Sequence, residues 1–196
     1  MRNSENVKGL IKLRPDFIGF IFYGNSPRYV NDINENLLLQ IPSGIKKVGV
    51  FVNESIPKIM EIFNKYALDF VQLHGDEDLQ CAQELRLKGI NIIKVFRLKD
   101  SIPELAKEYE AIASYLLFDT LTPDFGGSGA HFDWSILKKY MPDIPFLLSG
   151  GIQNSDIEEI KSMKIPQLVG VDVNSKCEMN PGLKDLELIK KLKALL

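Results

Sequence analysis

The chain has 196 residues, 45% of them hydrophobic, which is enough for one sizeable core. Its 24 basic and 26 acidic side chains leave a net charge of −2, without the basic excess that nucleic-acid or polybasic membrane contacts require. No apolar run approaches the ~18 residues of a membrane span, and residues 1–5 do not open a signal peptide, so a cytoplasmic protein is expected. Cys81 and Cys177 are too few for a disulfide scaffold or a thiolate metal site, and a reducing compartment is the default.

In chain order, a helical stretch over 4–13 comes first, with Val7, Leu10 and Ile11 inward and Asn3 or Ser4 as cap. Short, almost continuously apolar runs follow at 17–23, 48–53, 70–74, 92–97, 115–119, 146–150 and 168–173. Such runs suit strands covered on both faces, as in a parallel sheet. Helical periodicity fills the intervals at 32–40, 55–66, 79–87, 102–112, 155–163 and 186–196, with Ser55, Asp78 and Asn154 as expected caps. Strand starts lie 22 to 31 residues apart, the length of a βα unit with its return loop. No linker interrupts the series, so residues 1–196 read as one α/β domain. An open doubly wound sheet fits the pattern too, although no Gly-x-Gly-x-x-Gly follows the first strand.

Parallel α/β folds carry their chemistry at the C-terminal strand ends and in the loops after them. Those positions hold 23–29, Asn53-Glu54, 72–77, Arg97, Asp119-Thr120, the Gly-rich stretch 126–129, Ser149-Gly150-Gly151 and 172–175. Gly150-Gly151 lets backbone N–H groups approach an anion, and Asn174-Ser175 adds donors, so the two together suggest a phosphate site. Asp119 ends a Leu-Leu-Phe run, and a carboxyl group beside apolar walls suits general-acid work. The loop after it has the length of a lid. Arg28, after a Ser-Pro turn, has the fork geometry for a carboxylate or phosphate, and its plain alternative is a solvated arginine. His74 fits a buried structural histidine equally well, and His131 a solvated one. Cys81 reads as a core residue. No His, Asp and Glu cluster has metal-ligand spacing.

Taken together, 19–23 with 26–29, 48–53, 71–75, 117–120, 126–129 with 132–134, 148–151, and 172–175 with Pro181-Gly182 and Lys184-Asp185 resemble the phosphoribosylanthranilate isomerase family. The resemblance runs from about residue 3 to the C-terminus in order and spacing. It implies a (β/α)8 TIM barrel that works without cofactor as a monomer or homodimer. The reaction implied is an Amadori rearrangement of N-(5-phosphoribosyl)anthranilate in tryptophan biosynthesis. Asp119 would be the general acid and Arg28 a positioning group. Gly150, Gly151, Asn174 and Ser175 would grip phosphate, and His74, Asp172 and Gly127 would line the substrate pocket. The resemblance also implies a cysteine base at the end of a strand preceding the first helix, in a segment upstream of Met1. Seven strands are therefore expected, with unpaired edges between the first and last, and the chain is expected to be nearly inactive. Cys177 is a poor substitute, and Lys176 stands where a glycine is usual and would add charge near the phosphate. A non-catalytic phosphoribosyl-binding barrel remains an alternative. Indole-glycerol-phosphate synthase is weaker, because Lys94 lies in a strand middle and Glu54 stands alone.

Overall fold

The computed structural model describes residues 3–30, 33–121 and 132–196. Helix α1 (Ser4–Lys12) opens the chain, its Asn3 side chain accepting the Asn6 N–H. Seven strands follow: β1 (Phe17–Ile21), β2 (Lys46–Phe51), β3 (Phe70–Leu73), β4 (Asn91–Leu98), β5 (Tyr115–Thr120), β6 (Phe146–Leu148) and β7 (Leu168–Val171). They form one parallel sheet in sequence order. Among the described residues β1 and β7 do not pair, so the sheet stays open along that line as the seven runs predicted. Between the strands lie α2 (Glu35–Leu39), α3 (Ile56–Lys65), α4 (Leu79–Leu87), α5 (Leu105–Tyr109) and α6 (Ile157–Ser162), with 3-10 turns at Trp134–Lys139 and Asn154–Asp156. Helix α7 (Leu186–Leu195) closes the chain.

Alternation along each strand sorts the side chains. On β5, Leu116 and Phe118 join the large core between sheet and helices, while Leu117 joins a second, inner cluster. That inner cluster comprises Val48, Val50, Ile93, Val95, Leu117 and Leu147, with Phe17, Ile21, Phe70 and Tyr115 packed against it. Phe17, Phe70 and Tyr115 close one end of the interior, their ring centroids 5.5, 5.7 and 5.9 Å apart. Each fully buried core side chain such as Ile18, Phe20 or Leu73 contributes about 1.5–3 kcal/mol of burial.

Several elements are shorter than the periodicity predicted. Helix α5 starts at Leu105 rather than 102 because Pro103 disfavours helical geometry in the residue before it. Helix α2 starts at Glu35, where the Asn34 side chain caps the Asn36 N–H; the predicted start, Asp32, lies outside the described residues. Asp78 caps α4 as expected. Ser55 makes no side-chain cap, because its hydroxyl turns to the Glu54 carboxylate 3.1 Å away. The expected cap at Asn154 is instead a capping box between Gln153 and Asp156.

One element had no sequence signal: a two-stranded antiparallel hairpin, β8 (Glu178–Asn180) and β9 (Leu183–Lys184), which follows the 3-10 turn Ser175–Cys177. The buried Asn6 side chain grips it, donating to Lys184 O at 2.9 Å and accepting from Lys184 N at 2.7 Å. The first helix and the last loop are thereby joined.

Candidate active site

The alternation that fills the interior continues past the strand ends. Residues in phase with the inner cluster, namely Ile21 and Tyr23, Val50 and Val52, His74, Asp119, Ser149 and Asp172, therefore point into the space above it. Together with Ser26, Arg28, Gly150, Gly151, Asn174 and Ser175 they line an open pocket at the C-terminal ends of the strands.

Asp119 and His74 meet on one wall, Nε2 to Oδ2 at 3.4 Å, both largely buried. Gln72, two residues before His74 on the same strand face, sets the histidine: its amide Nε2 lies 3.0 Å from Nδ1. With the amide donating, Nδ1 accepts and the ring proton sits on Nε2, facing the Asp119 carboxylate. Asp119 Oδ1 accepts the Thr120 N–H at 2.8 Å, which fixes the carboxyl plane.

Gly150 and Gly151 have φ of 101° and 72°, the left-handed region. A Cβ on Gly150 would run into the Thr120 backbone N and hydroxyl, so the turn brings bare backbone against the end of β5. The N–H groups of Gly150, Gly151, Asn174 and Ser175 donate to no main-chain carbonyl among the described residues.

Arg28 is not a solvated arginine. The Ser26 hydroxyl accepts the Arg28 N–H at 3.1 Å, and the guanidinium reaches across the fold to Glu178, with Nε and Nη2 each 2.8 Å from Oε2. The other carboxylate oxygen accepts from Gly182 N at 3.1 Å and pairs with Lys184 Nζ at 3.2 Å. Burial alone would raise the Glu178 carboxyl pKa, but the Arg28 hydrogen bond and the Lys184 and Arg28 charges outweigh it and leave the carboxyl below its ordinary value. Burial pulls the Lys184 ammonium below its ordinary value, against the attraction of Glu178 and Asp172. Asp172 is pushed up by burial, with Asp119 adding to the effect and Lys184 opposing it.

The pocket thus gathers every described residue expected in it: Asp119, Arg28, His74, Asp172, Gly150, Gly151, Asn174 and Ser175. Gly127 and His131 lie outside the described residues. Lys176 departs from expectation: it lines a separate depression with Cys177, Asn154 and Leu188, because the turn at 175–177 carries it away from the pocket. Cys177 is buried, its thiol pKa raised by that burial, and Cys81 is half-buried on α4. Neither lines the pocket. Among the described residues no group of His, Cys, Asp and Glu is placed to hold a metal, and no helix is long and apolar enough to cross a membrane. Sequence reasoning missed Glu178, and it quoted Lys184 only within the Lys184-Asp185 segment of the resemblance, without a role.

Comparison with known proteins places this geometry. The family described as N-(5'phosphoribosyl)anthranilate (PRA) isomerase matches residues 1–194. The N-(5'-phosphoribosyl)anthranilate isomerase of Parabacteroides distasonis is 41% identical over 194 residues, covering 97% of this chain and 87% of the relative. The crystal structure of the Thermotoga maritima phosphoribosyl anthranilate isomerase superposes with a TM-score of 0.84 at 30% identity, covering 100% of this chain and 94% of that one. A further phosphoribosyl anthranilate isomerase, solved with reduced 1-(o-carboxyphenylamino)-1-deoxyribulose 5-phosphate, superposes with a TM-score of 0.78 at 28% identity, covering 98% and 92%. The seven-stranded sheet is accordingly that of a (β/α)8 TIM barrel, and the chain belongs to the phosphoribosylanthranilate isomerase family.

Proposed function

We propose that this chain serves tryptophan biosynthesis by isomerising N-(5'-phosphoribosyl)anthranilate to 1-(2-carboxyphenylamino)-1-deoxyribulose 5-phosphate. The observation that carries the reading is the pairing of Asp119 with His74 on one wall of a pocket whose rim holds Gly150-Gly151 and Asn174-Ser175. The phosphate sits against the backbone N–H groups of that rim. Arg28, with Nε and Nη2 committed to Glu178, offers Nη1 to the anthranilate carboxylate.

Asp119 gives its proton to the furanose ring oxygen, the C1–O bond breaks, and the nitrogen lone pair forms the Schiff base. A general base takes the C2 proton to give an enolamine, which becomes the ketone as C1 gains a proton and the C2 hydroxyl loses one, and exchange with water returns the base's proton to Asp119. Atoms and electrons balance within the substrate, so the reaction needs no external oxidant or reductant. His74 orients the Asp119 carboxyl and carries no proton to substrate. A cysteine thiol is the group the family resemblance assigns to the C2 proton, and the described residues bring neither Cys81 nor Cys177 to the pocket. Residues 1–196 form a single barrel domain, and the protein acts in the cytoplasm as a monomer or homodimer.

The test pairs binding with turnover. Titration of the reduced product analogue should show a single site, and Asp119→Asn should leave its affinity within about threefold. The same variant should lower isomerisation by about 10²–10⁴-fold, the range of a general acid. Unchanged turnover in Asp119→Asn overturns the assignment, and turnover of the unsubstituted chain at a full catalytic rate removes the need for a cysteine base.

A further inference from the structure

Strand β7 ends at Val171, and the segment that follows crosses the pocket rim without a strand to hold it. Lys184, on the hairpin behind it, gathers that segment, and the Cys177 N–H supports it by donating to the Asn174 carbonyl at 3.0 Å. The lysine Nζ lies 3.3 Å from Val173 O, 3.1 Å from Asn174 O and 2.7 Å from Asn174 Oδ1. It pairs with Glu178, whose carboxylate it shares with Arg28 on the far side.

The consequence follows from peptide geometry. A trans peptide unit is planar, with its C=O and N–H pointing in opposite directions. The Val173 carbonyl shares its unit with the Asn174 N–H, and the Asn174 carbonyl shares its unit with the Ser175 N–H. Two carbonyls drawn toward one ammonium therefore send two successive N–H groups away from it. Asn174 and Ser175 both line the pocket, and their N–H groups carry no main-chain partner among the described residues.

We propose that Lys184 is a positioning residue for anion binding: by gathering the Val173 and Asn174 carbonyls it presents the Asn174 and Ser175 N–H groups to the phosphate without touching the phosphate itself. The proposal rests on the reading of this rim as the phosphate site. Lys184 shares the Glu178 carboxylate with Arg28 and is ringed by acceptors, so its specific contribution is the direction of two donors rather than a hydrogen bond offered to the ligand. The Gly150-Gly151 turn has its own support, positive φ and close packing on Thr120, and does not depend on the lysine.

The test is a titration of the ¹⁵N-labelled full chain with inorganic phosphate, reading the amide resonances of Gly150, Gly151, Asn174 and Ser175. In the unsubstituted chain all four should shift. In Lys184→Met the Asn174 and Ser175 responses should vanish, those of Gly150 and Gly151 should persist, and phosphate affinity should fall about tenfold. A folded Lys184→Met with unchanged affinity and the Ser175 response intact overturns the proposal. Loss of all four responses together also overturns it, because that is general loosening. If Lys184→Met does not fold, Lys184→Gln, which keeps a polar group at the position and leaves Glu178 paired with Arg28, is read the same way. The unsubstituted chain separates the two claims. No response at any of the four amides removes the phosphate site itself. Responses at Gly150 and Gly151 alone keep the site and remove the role of Lys184.

Discussion

Two buried carboxylate–ammonium pairs in this barrel use the same chemistry to different ends. Glu77 and Lys94, 3.0 Å apart and with side chains 3% and 5% exposed, lie under the loops after β2 and β3. Glu178 and Lys184, 3.2 Å apart and 4% and 10% exposed, lie in the hairpin after β7. Each ion costs several kcal/mol to bury, and the cost is offset only when the remaining lone pairs and protons find partners. Around Glu77 the partners belong to the scaffold. Its Oε1 accepts from Asn53 N at 2.8 Å and Gly75 N at 3.2 Å, while Lys94 donates to Gly75 O at 2.9 Å. Around Glu178 the partners face the ligand pocket: Arg28 on one side and, through Lys184, Asn174 on the other. Burial and pairing alone therefore do not mark a functional ion pair. What distinguishes them is where the outermost hydrogen bonds end.

Breaking the first pair gives the largest effect. Lys94→Met leaves the Glu77 carboxylate buried with only its two backbone donors, and it should cost about 3–5 kcal/mol of stability, read as a lower urea midpoint. The folded protein should keep its affinity for the product analogue, because none of the Glu77 partners lines the pocket. A parallel loss of affinity would erase the distinction between the two pairs.

Glu178→Gln should have the smaller effect on stability, about 1.5–3 kcal/mol, the worth of hydrogen bonds to a charged group. It should weaken ligand binding as well, since it frees Arg28 and Lys184 together. Its pH dependence carries the clearer signature. The folded-state pKa of Glu178 lies below the unfolded value of about 4.3, so between the two the unfolded chain binds more protons and stability rises with pH. The stability difference between the unsubstituted chain and Glu178→Gln should be full above about pH 4.3 and close as pH falls through the folded value. Asp172 titrates with the opposite sign. Its pKa is raised in the fold, so its term favours folding at low pH and is lost as pH rises through the folded value. The difference between the two proteins removes that common term, and a difference that stays flat in acid would deny Glu178 its paired state.

The strand framework and the Asp119 and Gly150-Gly151 positions were legible in the sequence for one reason. A parallel sheet covered on both faces needs continuous apolar runs, and those runs end where the pocket begins. The alternation that buries Leu117 inward also brings Asp119 inward two residues later. Glu178 left no comparable trace, and Lys184 entered only as part of a family segment with no role attached. The hairpin carrying them has three residues on one strand and two on the other, too few for a period. The contact from Arg28 to Glu178 spans 150 residues, so no local pattern announces it. Gln72 and Glu77 were visible as strand-end residues, but the tautomer one sets and the pair the other forms depend on partners that only the fold supplies.

The finest test of the comparison is Tyr109→Phe. The Tyr109 hydroxyl donates to the Glu77 carbonyl at 2.8 Å, and its ring lies 5.7 Å from Lys94 Nζ. Burial, with the charges of Asp78 and Glu77 adding to it, pushes the phenol pKa up to about 12, so the hydroxyl remains a donor throughout the neutral range. Removing it keeps the ring beside the ammonium and deletes one hydrogen bond, leaving a buried carbonyl to find another donor. The expected cost is about 1 kcal/mol, seen as a small drop in the urea midpoint with no change in slope. Because the bond ends on the main chain of Glu77 and not on its carboxylate, the loss should be nearly the same at pH 5 and pH 8. A loss that grew with pH, or any fall in ligand affinity, would mean that the Glu77 network reaches the pocket after all, and the scaffold pair would have to be counted with the site.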